Sequence, residues 1–184
     1  MVDDNKKIVR EVDLTSERSL ALVADLLIMT DTGEPALNMA CELMARLRGT
    51  NRAFVVLVYH SEAYFIGRYG YPRISYAVPI EVQPNWRGDE QVEYLDVDRE
   101  IAGRQTYPQD LRESQYLHFA PLKIDGIPIG MVGVANRDPL PPATLDQRVA
   151  LDLLCKLVAE RLHHHRLLKR HTRELFGLLQ GDAP

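Results

Sequence analysis

The chain is short of cysteine, of aromatic residues and of long apolar runs, and each shortage removes a class of explanation. Its two cysteines in 184 residues, Cys41 and Cys155, offer neither a disulfide framework nor metal-ligand spacing. No stretch approaches the roughly 18 apolar residues that a membrane span needs. The opening residues, MVDDNKKIVREVDLTSERS, lack the apolar centre of a signal peptide, so a cytoplasmic location is expected. Positive charge does not dominate either. Lys and Arg total 22 against 26 Asp and Glu, and the net charge of −4 gives no reason to expect nucleic acid as a partner. No Ser-His-Asp or Cys-His grouping can be assembled from the spacing, so no enzyme is expected. What remains, 46% hydrophobic and 26% charged, is an ordinary globular composition, long enough for one domain with additional helices.

The periodicities that are present change along the chain. Thr15-Ser16-Glu17 reads as a helix start, followed by an apolar stripe over Leu20, Leu22, Val23, Leu26 and Leu27. A second helix runs from Pro35 to Arg48 and stops at Gly49, with Leu37, Ala40, Cys41, Met44 and Leu47 as its expected buried face. AFVVLVYH and AYFIGRYG then form a hairpin turning at Ser61-Glu62. Regularity fades from Tyr71 to Ser114, where a short strand near 74–82 and a short helix near 96–104 are expected. Between Glu81 and Glu113 stand nine acids and four arginines, and a segment this long without period is usually functional. APLKIDGIPIGMVGVAN is the clearest hairpin, since Asp125-Gly126 suits a two-residue turn. Gly130 and Gly133 interrupt its second strand and mark a close approach of something else. A long helix begins after NRDPLPP with Thr144 as cap, and its distal part, RLHHHRLLKRH, reads as a basic connector. The element order implies an α+β fold with an antiparallel sheet of five to six strands and helices at both ends.

This order, and above all Ala120-Pro121-Leu122, Asp125-Gly126, Gly130 and Asp146, resembles the GAF domain family from about Pro35 to Arg161. The resemblance implies a domain organisation of 1–34 as an N-terminal amphipathic helix, 35–161 as the GAF-like unit and 162–184 as an extension of the last helix. It implies a sensory or regulatory role, with a small molecule bound between the sheet and residues 71–114. Tyr76, Trp86, Arg104, Tyr116 and His118 are the expected contacts, as aromatic or hydrogen-bonding groups among apolar walls. The nature of any cofactor stays open. Bilin attachment is not expected, because both cysteines fall on apolar helix faces. Methionine-sulfoxide reductase chemistry is not expected either, because residues 71–114 contain no cysteine. Asn136-Arg137 and Asp146-Gln147 match a cyclic-nucleotide signature only in outline. His118 beside Tyr116 leaves a haem-based sensor as one alternative, and a ligand-free interaction scaffold as another.

The terminal helices also imply a homodimer and a downstream signalling or transport domain. The seam from Leu151 to Leu179 is about 40 Å long at 1.5 Å per residue, more than the 17–20 Å of a typical strand. The expected interface is Leu20, Val23, Leu27, Leu151, Leu154, Val158 and Leu162.

Overall fold

The computed structural model describes Leu14 and residues 16–27, 35–60, 62–71, 78–79, 90–100 and 114–181, and every structural statement below concerns those residues. Helices α1 (Glu17–Leu27) and α2 (Pro35–Arg48) precede strands β1 (Arg52–Tyr59), β2 (Glu62–Tyr69), β3 (Val78–Pro79) and β4 (Val92–Tyr94). A single helical turn, α3 (Val97–Glu100), leads to β5 (Tyr116–Ile124), β6 (Ile127–Asn136) and the long helix α4 (Leu145–Gly181). The strands form one six-stranded sheet in the order β3-β2-β1-β6-β5-β4, antiparallel at every pairing.

Local chemistry accounts for several element boundaries. Ser16 Oγ accepts the Ser19 amide at 3.2 Å and caps α1. Thr15, which shares that reading, lies outside the described residues. Thr144 and Gln147 form a reciprocal capping box at α4, with Thr144 N donating to Gln147 Oε1 at 3.0 Å and Gln147 N to Thr144 Oγ1 at 3.3 Å. Between β5 and β6, Asp125 (φ 52°) and Gly126 (φ 76°) supply the two positive dihedrals of a tight hairpin turn.

All three long helices lie on one face of the sheet. Leu22, Val23 and Leu26 of α1, Leu37, Cys41 and Met44 of α2, and Leu151, Leu154, Val158 and Leu162 of α4 pack in one core with β1, β5 and β6. This placement corrects the expected dimer interface. Val23, Leu151, Leu154, Val158 and Leu162 are at most 8% exposed within the single chain, so they hold the monomer together. Leu20 is half-buried, and the Leu27 side chain lies outside the described residues. Leu47, expected inside, is 50% exposed, and Ala45 takes the buried position instead. The strand and helix expected between 71 and 114 are present as β3 and α3. β4 was not expected.

Cys41 and Cys155 are both buried on the helix side, as their helical positions imply. Burial, the largest influence on each, pushes both thiols up to about 12. Thiolate is the reactive form, so labelling of the folded protein near neutral pH should run on the order of a thousand-fold slower than for a free cysteine. Timed mass spectrometry with a maleimide checks this, and rapid modification of either residue would contradict the burial.

Candidate functional site

The sheet carries a second apolar face, directed away from the helices. Alternation along β1 sends Ala53, Val55 and Leu57 to the helices and Phe54, Val56 and Val58 to the other side, all of them buried. Ala63 of β2 and Phe119 of β5 join Phe54, Val56 and Val58, with Phe65, Tyr71, Leu117, Met131, Val92 and Tyr94 packed around them. Burial on both faces is why AFVVLVY is apolar without alternation. The rings meet edge to face: Phe54 with Phe65 at 6.3 Å between centroids, Phe65 with Tyr71 at 5.6 Å. Gly133 makes room for them, because a Cβ there would stand 2.6 Å from Phe119 Cβ and 2.8 Å from Phe54 Cζ.

One end of this aromatic wall is polar. Arg52 is 4% exposed, its guanidinium lies 5.2 Å from the Tyr71 ring centroid, and Nη1 donates to Ser114 Oγ at 3.3 Å. Burial pushes the Tyr71 hydroxyl up to about 12, against the opposing influence of Arg52 and Ser114, so it stays protonated. An apolar wall ending in a cation and two hydroxyls is the composition of a small-molecule site.

The helix-covered face holds a different arrangement. Pairing of β4 with β5 sets Glu93 opposite His118. The Glu93 side chain, 7% exposed, accepts Tyr116 Oη at 2.7 Å, the Ala143 amide at 2.7 Å and Arg148 Nη2. Arg48 Nε donates to Tyr116 Oη at 2.9 Å, and its Nη2 reaches Pro141 O at 2.5 Å and Glu93 Oε1 at 3.8 Å. Gln91 Nε2 donates to Arg148 O at 2.6 Å, which turns Gln91 Oε1 toward His118 Nε2 at 2.7 Å. That acceptor puts the proton of His118 on Nε2. Burial above all lowers the His118 ring to about 4, with Arg148 and Arg48 acting the same way and Glu93 opposing them. The imidazole is therefore neutral near pH 7. The network ties the end of α2, the start of α4 and two strands together, and contains no nucleophile.

These positions correct the reading of Tyr116 and His118 as contacts of a pocket between the sheet and residues 71–114. Both point toward α2 and α4, and they meet residues 71–114 through Gln91, just before β4, and Glu93 within it. The cavity beside His118, lined also by Met44, Arg48 and Leu154, is about 20 Å³. That is room for a single water molecule, so neither a haem nor another small molecule fits there. Tyr76, Trp86 and Arg104 lie outside the described residues. The sequence reading missed Phe54, Phe65, Tyr71, Phe119 and Arg52 on one face and Glu93 on the other. Gln91-Val92-Glu93-Tyr94 did carry a signal: its alternation marks a strand with polar residues on one face and apolar ones on the other. No group of His, Cys, Asp or Glu suited to holding a metal ion occurs among the described residues, and no helix among them is long and apolar enough to cross a membrane.

No protein-family model matches the sequence, and no curated protein does. Solved structures do match. The GAF domain of an Acinetobacter phosphoenolpyruvate-protein phosphotransferase aligns with a TM-score of 0.58 and 14% identity over 81% of this chain and 95% of its own. The PixJ GAF domain of Thermosynechococcus elongatus, in its blue-light-absorbing form, aligns at 0.55 and 12% identity over 92% and 99%. A bacteriophytochrome from R. palustris aligns at 0.56 and 15% identity over 89% of this chain, which spans 42% of that protein's length.

Proposed function

From a fold shared with GAF domains, we propose that this chain is a sensory or regulatory domain that binds a small molecule against the aromatic face of its sheet and signals through its terminal helices as a homodimer. The observation that carries the reading is the second apolar face, with Arg52, Tyr71 and Ser114 at one end. A sheet in a two-layer fold needs only one apolar face. A second one lined by Phe54, Phe65, Tyr71, Tyr94 and Phe119 suits a flat apolar ligand whose polar end meets Arg52. Residues 71–114 would supply the opposite wall, with Tyr76, Trp86 and Arg104 as contacts. In place of Tyr116 and His118, the reading takes the rings of the aromatic face.

Signalling would run through β4. Its Val92 and Tyr94 border the aromatic face, while Glu93 between them holds the first turn of α4. A ligand that shifts this strand changes the anchoring of α4, whereas one that binds both arrangements equally shifts nothing.

Native mass spectrometry of gently purified protein, followed by a thermal-shift screen of metabolites, tests the ligand. A true ligand at about 100 times its Kd adds about 2.7 kcal/mol, which for a chain of this size raises Tm by roughly 5–10 °C. Phe119→Ala should abolish that shift and leave α4 folded by circular dichroism. No retained mass and no stabilising compound would favour the ligand-free scaffold.

A further inference from the structure

Leu14 and the helix it leads into lie on opposite faces of the sheet. Leu14 is 3% exposed and packs in the cluster of Phe54, Val56, Val58, Ala63 and Phe119, on the aromatic face. α1 begins three residues later, and its Leu22, Val23 and Leu26 belong to the core on the other face. A chain does not thread through a hydrogen-bonded sheet, so the sheet's rim lies between Leu14 and α1. Three residues reach about 10 Å at full extension, close to the spacing of packed layers. The connection therefore has little slack with which to absorb a movement of Leu14.

The start of α1 is stiff as well. Ser16 Oγ accepts the Ser19 amide at 3.2 Å and donates to Ser19 Oγ at 3.0 Å, and Ser16 O accepts the Leu20 amide at 2.9 Å. Ser19 is fully buried. A pull on Leu14 thus reaches a capped helix, which moves as a unit rather than fraying at its first turn. Farther along, Asp25 Oδ2 accepts Arg166 Nε at 2.8 Å. Arg166 lies one turn past Leu162, where α4 leaves the core. One end of α1 is therefore held at the aromatic face and the other at the distal part of α4.

We infer that Leu14 is a latch between the aromatic face and α1. A molecule that occupies this face repacks or displaces Leu14, and α1 follows, taking with it the Asp25 contact to α4. Latched and released α1 are the two states, and a ligand shifts them by the difference in its affinity for each. The inference rests on the ligand reading above for what moves Leu14, and adds to it a route through α1 that does not use β4.

Hydrogen exchange of the full chain, with no ligand present, tests the latch. Leu14→Ala should speed exchange of the α1 amides by roughly 30-fold or more, the effect of emptying a buried leucine site, while β1, β5 and β6 keep their protection. Leu14→Met refills the site and should hold α1 near its wild-type rates. Val56→Ala alters the aromatic face at a side chain directed away from α1. It should still speed α1 exchange, and should add nothing further in the Leu14→Ala background. Unchanged α1 exchange in Leu14→Ala, a global loss of protection in that variant, or additive effects of the two substitutions would each overturn the inference. Coupling between Val56 and α1 in a protein that no metabolite stabilises would leave the latch standing and count against the ligand reading alone.

Discussion

Glu93→Ala should destabilise the protein by about 3–5 kcal/mol, the usual cost of removing one partner from a buried ionic group. Three donors lose their acceptor at once: the Tyr116 hydroxyl, the Ala143 amide and the Arg148 guanidinium. Arg148 is 38% exposed at its side chain and can turn to water, so most of the cost falls on Arg48, Tyr116 and Ala143. Urea denaturation gives the number, and a loss below about 1 kcal/mol would mean that water already screens the network. The effect depends on pH. Burial alone would raise the Glu93 carboxyl, but the bonds from Tyr116 and Ala143, together with the nearby positive charge, hold it below its ordinary 4.5. A carboxyl lowered by folding contributes stability above its ordinary value and loses it as pH falls through the folded one. His118 acts in the same direction. Its ring is lowered from 6.5 to about 4, so its contribution is complete above 6.5 and declines toward 4. Wild-type stability should therefore fall on acidification from about pH 6.5, in two overlapping steps. Glu93→Gln should remove the lower one, and a denaturation series against pH separates them.

Gly130→Ala should be at least as damaging. A Cβ at this position would stand 2.0 Å from Val56 O and 2.9 Å from Leu57 Cα, both backbone atoms of the central strand β1. Backbone cannot yield as a side chain does, so the methyl would force β1 and β6 apart where Leu57 pairs with Gly130. A loss of about 4 kcal/mol or more is expected, in the range that signals a specific steric fault. Gly126→Ala is the control. Nothing lies within 4 Å of its Cβ position, and only its φ of +76° opposes the change, at about 1–2 kcal/mol. Equal melting temperatures for Gly130→Ala and the wild type would show that the strands can separate freely there.

Gly130 and Gly133 show how far the chain is legible by itself. Glycine inside a strand indicates close approach, and both positions do have it. What approaches differs in part: only the neighbouring strand's backbone at Gly130, but two aromatic side chains as well as the His118 carbonyl at Gly133. The β5–β6 hairpin, the capping box at Thr144 and the ends of α2 were readable because each depends on dihedrals and hydrogen bonds within a few residues. The repeat of 2.0 along β5 also separated Tyr116 and His118 from Leu117 and Phe119. It could not say which pair meets the helices, since a strand's alternation is the same seen from either side. β4 escaped notice because its alternation runs over only four residues, Gln91 to Tyr94, and its value lies in Glu93, whose partners are 23 to 55 positions away.

The last helix makes the same point in a periodicity of 3.6. Leucines and valines at 149, 153 and 157 and at 151, 154, 158 and 162 both form acceptable apolar stripes. Packing on the sheet selected the second stripe for the monomer's core and left the first in water. Local sequence thus determined the elements, their caps and their turns, because those rest on interactions between near neighbours. Tertiary structure alone decided which face of each element is covered, because covering a face is a contact between residues far apart in the chain.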